Sequence, residues 1–336
     1  MTAVERLQRT GIRRLRAGRN GFRYRAASGG AVAAEDLERI RALAIPPAWT
    51  DVFVSASPRA LLQAVGRDRA GRWQYRYSAV QTRIREGRKR RRLAAFLKAL
   101  PDLRVRVARD LQRPGLPREK VLAGLVQILL RAALRPGSSE YARSNGTFGL
   151  ATLRPAHASV AGDTVVLRYP GKGGKTQEHR IEDPGIARLV RRLLRTRGRR
   201  LFRWQDESGA WVEARRRTIN DYVRAASGGP FTAKDFRTWA GTLLGACALA
   251  RVGVPAPPTK RAIRSGVLAA MRETASALGN TPAVCRTSYV STRVVEAYER
   301  GLVLSEPVAV EALLAASPRA LARLERGVRR LLAEGP

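Results

Sequence analysis

The chain has 336 residues, 44% of them hydrophobic, which suffices for two domains with cores of their own. Lysine and arginine number 64 against 27 acidic residues, a formal net charge of +37. Three observations argue against a membrane-spanning or secreted protein: no run of about 20 apolar residues occurs, the basic N-terminus lacks the apolar segment of a signal peptide, and two cysteines are too few for a disulfide framework. We therefore expect a cytoplasmic protein.

The first hundred residues consist of short alternating segments separated by turn residues. Residues 21–32 predict a strand, a turn at Gly29-Gly30 and a second strand. Further elements are predicted in chain order as a helix over 34–49, strands over 51–57, 61–68 and 71–80, and a basic helix over 86–100. We expect a small β-rich N-terminal domain with helices over residues 1–100.

Residues 101–117 are predicted to be a linker region, because prolines interrupt the pattern there, although Leu103, Val105 and Val107 would allow a helix to continue into it. Residues 117–134 then predict a strong helix, since their apolar side chains recur on one face.

Residues 148–183 predict a three-stranded antiparallel sheet whose last turn is GKGGK, residues 171–175. From residue 186 onward the pattern is mostly helical. The fold class expected is therefore α+β: the β-rich N-terminal domain, followed by a larger, mainly α domain over residues 118–336 that carries the small sheet.

The positive charge indicates a polyanionic partner. The basic residues are spread through the periodic segments and are not confined to a tail, and such an excess destabilises a compact chain by self-repulsion unless a polyanion compensates it. A coding bias toward arginine explains many of these residues but not the shortage of acidic ones. We expect the chain to bind nucleic acid.

Cofactor chemistry finds little support in the sequence. Two histidines, two cysteines and no clustered carboxylates give no zinc or two-metal signature. Residues 171–176, GKGGKT, lack the spacing of a phosphate-binding P-loop and precede a predicted strand, so we do not expect ATP binding. No metal or cofactor is expected.

What remains is a set of three cations and an asparagine around one tyrosine: Arg135, Lys172, Arg237, Asn280 and Tyr289. Two guanidinium groups can hold the non-bridging oxygens of a phosphodiester and stabilise the charge that builds there. A tyrosine hydroxyl can attack phosphorus when nearby cations favour its phenolate, and a lysine on a mobile turn can protonate the leaving alkoxide. Taken singly, each residue also fits an ordinary structural role, and spacing alone does not decide between the two.

The sequence resembles the type IB DNA topoisomerases, in their compact poxvirus-like bacterial branch. The matching stretches run in order along nearly the whole chain: LAIPPAWTDV (43–52), QAVGRDRAGRWQYRY (63–77), LRPGSSEYARSNGTFGLATL (134–153), YPGKGGKTQEH (169–179), KDFRTWAGT (234–242) and GNTPAVCRTSYV (279–290). The combination is specific, although no single stretch is.

The resemblance implies a catalytic pentad. Tyr289 would be the nucleophile that forms a 3′-phosphotyrosyl bond with DNA, Arg135 and Arg237 would hold the scissile phosphate, and Lys172 would be the general acid for the 5′ oxygen. Family members often have histidine where this chain has Asn280, and an amide can donate a hydrogen bond but cannot titrate. The Ser-Thr pair after the nucleophile also departs from the His-Pro of many bacterial members.

Outside the pentad, the resemblance implies DNA contacts by Gln74, Tyr75 and Tyr77 in the N-terminal domain and by Tyr141 and Lys175 in the catalytic domain. On periodicity alone, Tyr75 and Tyr77 would equally suit the core of a sheet. The implied fold is that shared by tyrosine recombinases and type IB topoisomerases, with two domains that close around duplex DNA.

The implied function is relaxation of supercoiled duplex DNA by a nucleoid-associated monomer that needs neither ATP nor a divalent cation. One alternative is a tyrosine recombinase, which usually carries H-x-x-R where this chain has Lys234-Asp235-Phe236-Arg237. A second is a non-catalytic, nucleoid-associated DNA-binding protein, which accounts for the charge but leaves the ordered motifs unexplained.

Overall fold

The computed structural model describes residues 1–18, 21–313 and 317–333. The chain divides into two compact units, Met1–Arg88 and Lys89–Pro336. Within the described ranges, no helix is both long enough and apolar enough to cross a membrane.

The N-terminal unit is built on one five-stranded antiparallel sheet. Its elements are α1 (Ala3–Thr10), β1 (Ile12–Ala17), β2 (Gly21–Arg25), α2 (Ala34–Ala42), β3 (Thr50–Val54), β4 (Leu62–Arg67) and β5 (Trp73–Tyr77). The strands lie in the order β2-β1-β3-β4-β5. Ile40 of α2 is buried with Ile12, Val52, Val54 and Ala64 of the sheet, so the helix covers the apolar face that strand alternation creates.

The prediction that residues 21–32 form a hairpin is wrong, because the strand at 21–25 pairs with a different segment. β2 pairs with the preceding strand β1, in a register that sets Arg13 opposite Arg25 and Ala17 opposite Gly21. Residues 26–33 are mostly alanine, serine and glycine and offer no alternating apolar side chains for a second strand. They form a loop in which Gly29 adopts a φ of +86°.

A single long helix, α3 (Ala79–Leu111), begins in the N-terminal unit and continues into the second unit. Of the expected linker over 101–117, the residues up to Leu111 are therefore helical. Pro101 lies inside the helix and lacks the N–H of an intrahelical bond. Buried Leu100, Leu103 and Val107 continue the apolar stripe past it, so packing of that stripe offsets the lost hydrogen bond.

The second unit is mainly helical and carries a small sheet, as predicted. Its elements are α4 (Arg118–Ala132), α5 (Ser139–Ser144), β6 (Ala158–Ala161), β7 (Thr164–Pro170), β8 (Thr176–Glu182), α6 (Pro184–Leu194), β9 (Arg203–Gln205), β10 (Trp211–Glu213), α7 (Arg216–Ser227), α8 (Ala233–Val252), α9 (Lys260–Leu278), α10 (Pro282–Val284), α11 (Thr292–Glu299), α12 (Val310–Leu313) and α13 (Pro318–Ala333).

Strands β6, β7 and β8 form the predicted three-stranded antiparallel sheet. The sheet begins at Ala158, later than expected, because two short 3₁₀ turns, Leu150–Thr152 and Pro155–His157, occupy the preceding residues. The hairpin of β9 and β10 was not expected, since each strand has only three residues and shows no resolvable alternation.

Helix α8 is the centre of the second unit. It packs against α4, α7, α9, α11 and α13, and its side chains are buried along most of its length. Its sequence from Ala240 to Ala250 is rich in alanine and glycine, which lets neighbouring backbones approach closely. Helices α4 and α9, which precede Arg135 and Asn280, and the segment that carries Tyr289 all pack against this helix.

A buried carboxylate joins three helices of this unit. Glu325 of α13 is 6% exposed and accepts hydrogen bonds from both terminal nitrogens of Arg104 in α3, at 3.0 and 2.6 Å. It also accepts one from Nε1 of Trp239 in α8, at 3.0 Å. The C-terminal helix is therefore fixed to the central helix by a fully paired buried charge.

Replacing Glu325 with alanine should lower the free energy of unfolding by about 3–5 kcal/mol, because the substitution leaves the partly buried Arg104 guanidinium and the Trp239 N–H without their acceptor. Urea denaturation measures the effect. Glu306 is the control: it pairs with Arg323 at 3.2 Å, but both side chains are more than 60% exposed. Glu306→Ala should cost about 1 kcal/mol or less, and equal losses would contradict a buried, structural role for Glu325.

Candidate active site

Tyr289 lies at the end of a single π-helical turn, Cys285–Tyr289, which the Val290 N–H closes by donating to the Cys285 carbonyl at 2.9 Å. The buried Cys285 side chain anchors the start of the turn. Thr242 of α8 holds its end: the Thr242 hydroxyl donates to the Tyr289 carbonyl at 3.1 Å and accepts from the Ser291 N–H at 3.2 Å.

Close packing of this turn against α8 requires glycine at position 241. A Cβ atom added to Gly241 would come within 2.7 Å of the Tyr289 Cβ. The central helix therefore sets the position of the tyrosine side chain through the missing side chain of Gly241 and the hydroxyl of Thr242.

Arg237 is held in the second turn of α8, and its side chain is only 4% exposed. Nη1 donates to the carbonyl of Ala133 at 2.6 Å, and Nη2 donates to that of Leu278 at 3.0 Å. These carbonyls lie at the C-terminal ends of α4 and α9, where the helix dipole favours a cation. The guanidinium carbon lies 4.8 Å from the centre of the Tyr289 ring.

Arg135 follows the end of α4, which Ala133 terminates with a left-handed φ of +48°. Its Nη2 donates to the Gly279 carbonyl at 2.8 Å and to Oδ1 of Asn280 at 2.5 Å. Asn280 in turn donates from Nδ2 to the Leu278 carbonyl at 3.3 Å. The turn after α9 therefore holds both arginines.

Lys172 is exposed, on the turn that joins β7 to β8. Gly171, Gly173 and Gly174 surround it, and the Gly171 N–H donates to the Lys175 carbonyl at 2.8 Å. Gly173 and Gly174 have φ values of +77° and +74°, which glycine adopts without strain. This is the expected turn, and the charge of its lysine contributes to lowering the pKa of Tyr289.

These charges favour the ionised form of the tyrosine. Burial disfavours the phenolate of Tyr289, but the attraction of Arg237, with smaller contributions from Arg135 and Lys172, outweighs it, so that its pKa lies below its ordinary value. The arrangement therefore favours a phenolate beside two guanidinium groups.

The charges of the same arginines act on the pKa values of two further side chains, which were not predicted as members of the site. Burial lowers the pKa of His179 to about 4, and the charges of Arg237 and Arg135 act in the same direction. Burial raises the pKa of Tyr169 to about 12, although both arginines oppose that shift. The two rings stack with their centres 6.0 Å apart. The only sequence signal was their position at the two ends of the stretch 169–179.

The remaining predicted site residues lie at exposed or partly exposed positions. Tyr75 and Tyr77 project from β5 in the N-terminal unit with their rings stacked at 6.1 Å, and Tyr75 is 43% exposed. Gln74 donates to the Asp68 carboxylate at 2.9 Å. Tyr141, on α5, is 52% exposed, and Lys175 closes the Lys172 turn.

An arginine-lined depression of about 340 Å³ adjoins the Arg135 loop. Its lining includes Ser138, Ser139, Arg215, Arg216, Arg217 and Arg224. Single arginines carry little information in a chain so rich in them, and the sequence did not single these out. Within the residues that the structure describes, no group of three or more histidine, cysteine, aspartate or glutamate side chains could hold a metal ion.

The pKa of His179 has a measurable consequence. Because that pKa is about 4 in the folded protein and about 6.5 in an unfolded chain, the unfolded state binds more protons between these values. Stability therefore falls as the pH drops through this window, by about 2 kcal/mol from pH 7 to pH 5. Urea denaturation at both pH values should show that His179→Phe removes this loss, whereas His157→Phe, which removes a histidine whose pKa burial also lowers, leaves the His179 contribution in place. If His179→Phe lost as much stability between pH 7 and pH 5 as the wild type, the low pKa of His179 would be contradicted.

Two family models match the chain, one after the other. The model described as the catalytic core of eukaryotic DNA topoisomerase I matches residues 82–302. The model described as the N-terminal domain of bacterial DNA topoisomerase IB matches residues 21–68. The two matches follow the same order as the units of the structure.

Viral enzymes are similar over most of the chain. DNA topoisomerase 1B of Acanthamoeba polyphaga mimivirus is 33% identical over 273 residues, which are 80% of this chain and 81% of the viral protein. DNA topoisomerase I of monkeypox virus and DNA topoisomerase 1B of vaccinia virus are each 22% identical over 268 residues. The resemblance found in the sequence motifs is thereby confirmed, and the recombinase alternative is not favoured. The chain belongs to the poxvirus-like, compact type IB DNA topoisomerases, isomerases that relax supercoiled DNA by transient cleavage of one strand.

Proposed function

We propose that Tyr289 is the nucleophile of this enzyme and that its phenolic oxygen forms a 3′-phosphotyrosyl bond with the cleaved strand. The observation that carries the proposal is the Arg237 guanidinium, which lies 4.8 Å from the Tyr289 ring in a cluster of cations that lowers the pKa of the phenol. A phenolate is the form of tyrosine that attacks phosphorus.

Arg237 and Arg135 bind the two non-bridging oxygens of the scissile phosphate. Two donors of Arg237 are engaged by main-chain carbonyls, while its buried Nε has no hydrogen-bond partner among the described residues. A buried donor without an acceptor is costly, and a phosphate oxygen would supply that acceptor. Fixed cations at this position stabilise the charge that develops in the transition state.

Asn280 orients Arg135. Its amide oxygen accepts from Nη2 of Arg135, and one of its two amide hydrogens is directed to the Leu278 carbonyl. The other amide hydrogen remains to be donated to the phosphate. Asn280 therefore acts through hydrogen bonds and takes no part in proton transfer.

Lys172 is the general acid. As the phenolate oxygen bonds to phosphorus, the bond from phosphorus to the 5′ oxygen breaks, and Lys172 gives that oxygen a proton. Its exposed position between three glycines allows the ammonium group to reach a leaving group on bound DNA. In religation the 5′ hydroxyl returns its proton and attacks phosphorus, and the phenolate leaves.

The exchange conserves the energy of the phosphodiester, so that neither ATP nor a divalent cation is needed. The substrate is duplex DNA, contacted by Gln74, Tyr75, Tyr77, Tyr141 and Lys175. The arginine-lined depression beside the Arg135 loop supplies further contacts, since arginine binds phosphate oxygens with two parallel hydrogen bonds. A monomer suffices because one chain carries every residue invoked, and the net charge of +37 favours residence on the nucleoid.

Tyr289→Phe tests the nucleophile. The variant should form no covalent adduct and relax no supercoiled plasmid, while its affinity for duplex DNA should stay within about threefold of the wild type, because one hydroxyl contributes little to a largely electrostatic interaction. Trapping the wild-type adduct and mapping the attached residue by peptide analysis is the measurement. Tyr298→Phe serves as the control, since Tyr298 is 1% exposed; an adduct on any residue other than Tyr289 would refute the assignment.

Lys172→Arg tests the general acid. Arginine keeps the charge but does not release its proton, so single-turnover cleavage should slow by about 100-fold or more. A duplex with a 5′-thiolate leaving group, which needs no proton, should restore cleavage in this variant. Lys175→Arg, on the same turn, should stay near the wild-type rate, and failure of the thiolate to rescue Lys172→Arg would move the role to another residue.

A further inference from the structure

A second lysine contacts the main chain on either side of the proposed nucleophile. Lys89 is the first residue of the second unit and lies on α3. Its ammonium group donates to the carbonyl of Thr287 and to that of Val290, each at 3.2 Å. These two carbonyls bracket Tyr289 in the chain, so that a single side chain from another helix ties both sides of the tyrosine.

The π-helical turn creates the need for such a group. A helical segment ends with carbonyls that have no partner within the helix, and here the closing bond from Val290 N–H uses only the carbonyl of Cys285. The ammonium group of Lys89 offers three donors and brings positive charge to the C-terminal end of the turn, where the helix dipole favours it. With Thr242 holding the Tyr289 carbonyl, side chains fix three of the four carbonyls from Thr287 to Val290.

The same face of α3 also fixes the helix that carries Arg237. One turn beyond Lys89, Arg92 makes two hydrogen bonds to the carboxylate of Asp235, at 2.5 and 2.7 Å. Asp235 caps the start of α8 by accepting from the Thr232 N–H at 2.8 Å. Helix α3 is therefore a common support for the segment that holds the phenol and the helix that holds the guanidinium.

We propose that Lys89 is a positioning residue for strand cleavage: by holding the main chain on both sides of Tyr289, it fixes the phenolic oxygen relative to the Arg237 guanidinium. The inference rests on the proposed role of Tyr289 as the nucleophile. Lys89 donates to main-chain carbonyls and not to the leaving group, which separates its role from that of Lys172. A displacement of about 1 Å in a reacting group can slow a reaction about 100-fold. Loss of the two hydrogen bonds from Lys89 to the main chain is therefore expected to slow cleavage.

Lys89→Met tests the proposal, because methionine fills the space of the aliphatic stem without the donors. Single-turnover adduct formation at saturating enzyme, on a duplex whose cleavage site has been mapped with the wild type, should slow by about 10- to 100-fold. The dissociation constant for the same duplex should stay within about threefold. Lys98→Met is the matched control: it makes the same substitution at an exposed position of the same helix and should cleave at the wild-type rate.

Two further measurements separate positioning from other roles. A 5′-thiolate duplex should leave Lys89→Met slow while it restores Lys172→Arg, because a misplaced nucleophile is not corrected by a better leaving group. Lys89→Arg keeps donors that can reach the carbonyls and should cleave faster than Lys89→Met. Should Lys89→Met prove unstable in urea denaturation, Lys89→Gln, which retains one amide donor group, provides the same comparison.

Three outcomes would overturn the proposal. Wild-type cleavage by Lys89→Met at saturating enzyme would show that the tether is dispensable. A loss confined to the dissociation constant would make Lys89 a DNA contact, and rescue by the thiolate would make it a proton donor. Tyr289→Phe is assayed in parallel: residual cleavage in that variant would refute the proposed nucleophile, whereas an inert Tyr289→Phe beside a fully active Lys89→Met would refute only the role of Lys89.

Discussion

The proposed active site depends on one buried cation. Taking the Arg237 guanidinium out of water is costly, and the protein offsets that cost with carbonyl groups at the C-terminal ends of two helices, those of Ala133 and Leu278. Three helices must meet at one point for this to occur: α8 carries the arginine, and α4 and α9 present the carbonyls. Arg135 and Asn280 follow directly from the ends of α4 and α9, so the contacts that satisfy Arg237 also assemble its neighbours.

The same positive field acts differently on the two tyrosines near it. The pKa of Tyr289 lies below its usual value, because the attraction of Arg237 outweighs burial. The pKa of Tyr169 rises to about 12, because it is more deeply buried and the same arginines do not compensate. The balance between burial and the charge of the arginines therefore decides which phenol can ionise. Gly241 and Thr242 set this balance for Tyr289 by bringing the π-helical turn against α8.

Sequence reasoning predicted the α+β class, the three-stranded sheet and the cationic motifs, because those follow from local periodicity and from recognisable stretches of chain. It missed what depends on tertiary packing. The continuation of α3 through Pro101 is favoured by apolar side chains that are buried only in the folded unit. The short hairpin of β9 and β10 has too few residues for a pattern. Lys89 and His179 were not recognised because their partners lie far away in the sequence.

Asn280 shows why a departure from the family pattern need not disable the site. In the structure its side chain accepts one hydrogen bond, from Arg135, and donates another, to the Leu278 carbonyl. A neutral imidazole has one acceptor nitrogen and one donor N–H, so a histidine could make the same two bonds. The amide keeps a further hydrogen, which in the proposed mechanism is donated to the phosphate, and it cannot become a cation. With asparagine in place of histidine, the site lacks a titrating group beside Arg135. A second positive charge at that position would in any case be disfavoured by the arginine.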